Sequence, residues 1–99
     1  MRERQWTTVA EDDYLFGLYE KARIRKRLDN LPHPQQILVR YIRDGDFTTV
    51  IARAPHRRAL REVVVDGASR KSMQDMERPE VGLSVAFVRT MVNLDAELF

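Results

Sequence analysis

The fold is decided by residues 35–65, which read QQILVRYIRDGDFTTVIARAPHRRALREVVV. If these residues are helical, their apolar side chains form three successive stripes at helical spacing. The stripes are Ile37, Leu38, Tyr41 and Ile42, then Phe47, Val50, Ile51 and Ala54, then Leu60, Val63 and Val64. Asp46 is placed to cap the second helix, Pro55 to begin the third and Gly67 to follow its end. These capping residues favour three helices over β-strands in this segment.

The alternative is β structure. Residues 37–42 and 47–52 are rich in β-branched side chains and flank Asp44-Gly45, a dipeptide typical of two-residue hairpins. A hairpin that turns at Asp44-Gly45 is expected to pair Ile42 with Phe47 and Val39 with Val50. The resulting fold is α+β, with a hairpin over 36–53 and a third strand over 60–65 between N-terminal and C-terminal helices.

The N-terminal flank predicts a helix over residues 9–29. Thr8 with Glu11 matches a capping box, and Leu15, Leu18, Tyr19 and Ala22 follow at helical spacing. Pro32 and Pro34 end the element.

The C-terminal flank predicts a polar, exposed loop over 66–80 and then a helix over 79–95. Pro79 suits a helix start, and apolar residues lie on two faces of the segment. One face holds Val81, Val85, Val88 and Val92, and the other holds Leu83, Phe87, Met91 and Leu94. With the helical interpretation of 35–65, residues 1–99 form a single-domain, mainly α bundle of about four helices.

Charge is segregated along the chain. The net charge is +2, yet residues 21–71 hold thirteen of the seventeen Lys and Arg against five acids. A basic block on a small domain indicates a polyanionic or acidic partner. The candidate nucleic-acid-binding residues are Arg23, Arg27, Arg53, Arg57, Arg58, Arg61, Arg70 and Lys71. If residues 56–65 are helical, Arg57 and Arg61 share one face.

A second candidate surface is apolar. Trp6, ahead of the first helix, suits a hydrophobic staple or an interface anchor. The C-terminal helix and tail add Phe87, Met91, Leu98 and Phe99 as residues for a partner contact. This surface predicts a protein-interaction module, either a homo-oligomer or a subunit of a larger complex.

Catalytic and metal-binding patterns are missing from the sequence. The chain has no cysteine, and its two histidines, His33 and His56, have no ligand-type partners at metal-binding spacing. Asp44-Gly45-Asp46 lacks the remaining ligands of a calcium loop. We therefore expect no enzymatic activity, no cofactor and no metal.

Leu31-Pro32, Gln35-Gln36, Arg40-Tyr41-Ile42, Gly45 and Val50-Ile51-Ala52 together resemble the start of a helix-turn-helix such as region 4 of bacterial sigma factors. The resemblance implies DNA binding, with Arg57, Arg58 and Arg61 on a recognition helix. The chain departs from the pattern by one extra residue before Gly45 and by Arg53-Ala54-Pro55 in place of the turn. We do not assign the chain to that family.

The leading expectation is a small basic protein that binds nucleic-acid phosphates, or an acidic protein surface in a nucleoprotein assembly, through its central arginines. The alternative is the protein-interaction module. No segment has the run of apolar residues typical of a membrane span or signal peptide, so we expect a cytoplasmic protein without a membrane partner.

Overall fold

The computed structural model describes residues 2–70 and 79–99, which form a four-stranded antiparallel sheet and two α-helices. In chain order the elements are β1 (Thr7–Thr8), α1 (Asp13–Arg25), β2 (Leu38–Asp44), β3 (Phe47–Pro55), β4 (Glu62–Arg70) and α2 (Pro79–Glu97), with 3-10 turns at Val9–Glu11 and Pro34–Gln36. The strands follow one another across the sheet in the same order. The predicted mainly α, helical bundle is therefore wrong, and the chain has the α+β architecture of the alternative.

The β2–β3 hairpin replaces the first two predicted helices. It closes on the pair Asp44 and Phe47, so Gly45 and Asp46 form the loop. Gly45 has φ +59, which a type II′ turn requires at its first loop position. The pairing is offset by two residues from the expected one, and such an offset keeps every side chain on its expected face.

Burial along β3 shows why a strand forms here. Thr48, Val50, Ala52 and Ala54 are buried, while the residues between them are less so. This alternation has the period of a half-buried strand. The helical stripes fail because they place Val50 and Ile51 on one side, whereas the core takes only Val50.

The third helix is replaced by β4, which begins two residues after the expected start of a strand and continues to Arg70. Residues 66–70 of the predicted 66–80 loop therefore belong to the sheet, and residues 79–80 begin α2. Residues 71–78 lie outside the described part of the chain. With strands over 38–55, the likeness to a helix-turn-helix is also wrong.

The N-terminal helix is shorter than the predicted 9–29. Thr8 Oγ1 accepts from the Glu11 N–H at 3.3 Å, but this caps the 3-10 turn. The cap of α1 is Asp12, which accepts from the Leu15 N–H at 3.0 Å. At the other end, Arg27 adopts φ +52 beyond the last helical turn. The predicted stripe is confirmed, with Leu15, Tyr19 and Ala22 in the core and Leu18 packed against it.

The C-terminal helix is confirmed and extends to Glu97. Phe87, Met91 and Leu94 are fully buried against the sheet. Within the described residues, neither α-helix has the length and apolar content needed to cross a bilayer.

α2 approaches the sheet most closely at Gly67. A Cβ atom there would lie 2.6 Å from both Thr90 N and Thr90 Oγ1, and 2.9 Å from Ala86 O. The Thr90 hydroxyl is within hydrogen-bond distance of Val50 O and Ala86 O, at 3.1 and 2.7 Å. Ser69 Oγ donates to Gly82 O at 2.7 Å. Small residues thus let helix and sheet backbones touch.

We expect Gly67→Ala to lower the free energy of unfolding by roughly 1–3 kcal/mol or more, because the added methyl group meets helix backbone that cannot yield. Urea unfolding followed by circular dichroism measures this. Gly17→Ala is the matched control. Its Cβ meets no atom within 4 Å inside α1, so it should raise stability by about 0.5–1 kcal/mol. Equal stability of the Gly67→Ala variant and the parent would contradict the close approach of helix and sheet.

The Asp12 cap predicts a pH dependence. Burial acts to raise the pKa of the Asp12 carboxyl, but hydrogen bonds, including that from the Leu15 N–H, hold the pKa below its ordinary 3.8. The charged cap therefore adds stability above pH 3.8, and this is lost as the pH falls through the lower folded value. Asp12→Asn keeps a capping oxygen without the charge. The stability difference between parent and variant should shrink on acidification, and a constant difference would contradict the lowered pKa.

Candidate functional site

The sheet has one covered face and one open face. The register and the burial pattern place Val39, Val50, Ala52 and Val63 toward the helices. The opposite side chains face away from α1 and α2, and no described element packs over them. We call this surface the open face. It comprises Trp6, Leu38, Arg40, Ile42, Asp44, Phe47, Thr49, Ile51, Arg53, Pro55, Glu62, Val64, Asp66, Ala68 and Arg70.

Trp6 is the centre of a stack on the open face. The Cζ atom of Arg40 lies 5.2 Å from the centroid of the indole, and that of Arg53 lies 4.9 Å from it. Both distances fall within the range of cation–π attraction. The indole remains 38% exposed, so the stack is open to solvent.

Glu62 forms an ion pair with one arginine of this stack. Arg53 donates from Nε to Glu62 Oε1 at 2.8 Å and from Nη2 to Oε2 at 3.1 Å. The hydrogen bonds to Glu62, followed by its negative charge, raise the pKa of Arg53 above its ordinary value. The paired geometry orients the guanidinium plane, because a carboxylate receives both N–H groups at once.

The other arginine has an unsatisfied donor. Arg40 Nε is shielded from solvent and has no hydrogen-bond partner among residues 2–70 and 79–99. Buried donors in native proteins nearly always have an acceptor. An acceptor that entered beside Trp6 would satisfy this one.

The loop between β3 and β4 adds further cations. Arg57, Arg58 and Arg61 are exposed on it. The loop is closed at its base, where the His56 N–H donates to Arg61 O at 3.0 Å, and His56 Nδ1 accepts from the Arg58 N–H at 3.1 Å. Arg53, Arg57, Arg58 and Arg61 form what we call the β3–β4 arginine cluster. The cluster lies at the end of the open face, next to Glu62.

The other predicted basic residues lie elsewhere. Arg70 is on the open face opposite Phe47, at the far end of β4. Arg23 pairs with Glu20 at 3.3 Å on α1, and Arg27 follows the end of that helix. Lys71 is outside the described residues. The structure therefore brings together only Arg53, Arg57, Arg58 and Arg61, and it does so in a loop, so the expected helical face for Arg57 and Arg61 is wrong.

The predicted apolar interface is divided. Phe87 and Met91 are fully buried core residues, which removes them from any surface. Leu98 packs partly against the core, whereas Phe99 is 93% exposed. Trp6 belongs to the open face.

Sequence reasoning missed Arg40 and Glu62. Their roles depend on strand register, because only the hairpin alternation places Arg40 and Arg53 on one face. The alternative prediction of a hairpin at Asp44-Gly45 places both arginines on one face, whereas the preferred helical prediction does not.

A groove runs beside β4. A groove of about 530 Å³ is lined by Lys26, Asp66, Gly67, Ala68, Val88, Arg89, Val92 and Asn93. Arg89 Nη1 donates to Ala68 O and Asn93 Nδ2 donates to Asp66 O, each at 2.7 Å. Two side chains of α2 thus occupy edge carbonyls that another strand would otherwise use.

Metal binding finds no support in the part of the chain that is described, where no three His, Cys, Asp or Glu residues converge. No protein-family model matches the chain, and none of the curated proteins is significantly similar to it in sequence.

The hydrogen bonds along the edge of β4 predict that R89A/N93A will self-associate. The double variant frees the carbonyls of Ala68 and Asp66, and a free edge can pair with another sheet. Sedimentation velocity should show a mass that rises with concentration. Glu97→Ala, a change at an exposed position of α2 that donates no such bond, should leave the mass as in the parent. A double variant with the parent's sedimentation would show that the two side chains do not protect the edge.

Proposed function

We propose that this chain is a small, non-enzymatic binding protein that contacts nucleic-acid phosphates through the open face of its sheet. The observation that carries the proposal is the β3–β4 arginine cluster beside the Trp6 stack. The cluster is four exposed or half-exposed guanidinium groups at one end of an uncovered surface, opposed locally by Glu62.

Arginine suits this role chemically. Its planar guanidinium donates to two phosphate oxygens at once and keeps its charge at any physiological pH. The loop positions Arg57, Arg58 and Arg61 without ion-pair partners among the described residues. Phosphate contacts of this kind supply affinity without selecting a base sequence. The proposed activity is therefore general binding whose strength depends on salt.

Arg53 has a different role in the proposal. Because Glu62 neutralises much of its charge, it contributes less to attracting phosphate than the loop arginines. Its paired geometry instead fixes a flat guanidinium beside the indole. The site thus combines loop arginines that displace counterions from the phosphates with an oriented guanidinium and indole on the sheet.

A protein partner is the second candidate, and exposed apolar side chains favour it. Val64 is 59% exposed and Phe47 is 50% exposed on the open face. Tryptophan and arginine are also the residues most enriched in interface hot spots. The surface differs from the predicted C-terminal one, since Phe87 and Met91 are buried. Failure to bind any oligonucleotide at low salt would favour this candidate.

Location in the cytoplasm is part of the same proposal. A chain without cysteine gains nothing from an oxidising compartment, and nucleic acid is accessible in the cytoplasm.

Fluorescence anisotropy of a labelled random oligonucleotide, titrated with salt, tests phosphate binding. Affinity should fall steeply with salt. Arg57→Ala with Arg61→Ala should reduce the slope of log K against log salt by about 2, because each arginine neutralises one phosphate. Lys21→Ala with Arg25→Ala is the matched control. It removes the same charge from the exposed surface of α1, so it should change the slope far less. Equal effects of the two double variants would refute the localised site.

A further inference from the structure

The Trp6 stack is a set of planar groups on the open face. The indole and the guanidinium groups of Arg40 and Arg53 are all planar, and the open face around them carries no covering helix among the described residues. Planar π groups and guanidinium planes are the surfaces on which unpaired nucleobases stack.

We propose that the stack receives unpaired bases, so that the open face binds single-stranded nucleic acid in preference to duplex. This inference rests on the proposed phosphate binding and narrows it to one class of ligand. The loop arginines would hold the backbone of the strand, and one base would lie against the planar groups around Trp6.

The architecture disfavours a duplex at this site. In a duplex the faces of the bases are stacked on one another, so a protein meets only groove edges and phosphates. Many groove readers insert a helix into the major groove, whereas here α2 packs on the opposite face of the sheet and α1 packs against α2. The open face of the sheet, by contrast, offers a surface on which a splayed strand can lie with its bases against the planar groups.

The unsatisfied Arg40 donor supports a polar ligand at the same place. Nucleobases carry acceptor oxygens and nitrogens on their edges, and phosphates carry more. Arg40 Nε is shielded from solvent and its guanidinium lies beside the indole, so an acceptor can reach this atom only if the side chains that cover it move on binding. Ligand binding should therefore change the surroundings of Trp6.

Trp6 is the single tryptophan of the chain and so reports on the site directly. Its fluorescence should be followed while three oligonucleotides of about 15 nucleotides are added at one salt concentration, a length near the upper end of single-strand site sizes. They are single-stranded DNA, single-stranded RNA of the same sequence, and the DNA duplex. We expect at least one single strand to bind about tenfold tighter than the duplex, or more, and to quench the emission.

Variants at Trp6 distinguish the contribution of base stacking to affinity from that of the arginine charges. Trp6→Leu should weaken single-strand binding roughly tenfold, measured by anisotropy, while leaving the salt slope unchanged. Trp6→Phe, which keeps a planar ring, should recover most of the preference. Phe16→Leu is the matched control, because Phe16 is 39% exposed on α1, away from the sheet, and its loss should not change binding.

Two failures have different meanings. Equal affinity for single strands and duplex, with unquenched Trp6, would overturn this inference and leave phosphate binding standing. No binding of any oligonucleotide at low salt would instead refute the proposed function itself. If Trp6→Leu proves unfolded by circular dichroism, the quenching comparison on the unmodified protein still decides the question.

Discussion

The close packing of α2 on the sheet at Gly67 is the constraint on which the rest of the structure depends. Helix and sheet backbones meet there at a distance that admits no Cβ atom, and Thr90 is shared between Val50 and Ala86. This packing fixes the helix over β3 and β4, and so decides which sheet face is covered. It also brings Arg89 within reach of an edge carbonyl. Burial of the core, protection of the β4 edge and exposure of the other face all accompany this placement of α2.

One-sided covering explains where the polar chemistry concentrates. Arginines that would be costly in a core are placed on the uncovered face, where Trp6 and Glu62 organise two of them. An exposed ion pair such as Arg53–Glu62 contributes little to stability, about 0–1 kcal/mol, so its effect is on orientation. The stack is therefore a surface feature held in shape by neighbours, and a ligand can use it without disturbing the core.

The helical flanks could be predicted from the sequence because their apolar residues follow the helical period over a long segment, although Val81, Leu83, Val85 and Phe87 also alternate as in a strand. Leu15 and Tyr19, or Phe87 and Met91, lie at helical spacing within longer stripes that no strand reproduces. Residues 35–65 fit both periods, and the structure takes the strand period, which buries Val50 and leaves Ile51 on the other face. Gly67 shows why the sequence alone was ambiguous. In a sequence, a glycine that lets a helix approach a strand closely cannot be distinguished from a glycine that follows the end of a helix. For the candidate site, exposure of the loop arginines followed from charge alone. The Trp6 stack depends on register and could not be found without it.

The N-terminal segment has a practical consequence. The Arg4 N–H donates to Tyr41 O and the Arg43 N–H donates to Glu3 Oε1, each at 2.9 Å, so residues 3–6 run along β2 beside the stack. Any purification tag fused ahead of residue 2 would emerge next to the surface whose affinity is being measured. A polyhistidine tag would add imidazoles there, which become cationic as the pH falls toward about 6, and a fused carrier protein would obstruct access. Binding assays on this protein should therefore use tags placed after Phe99, or tags removed before measurement.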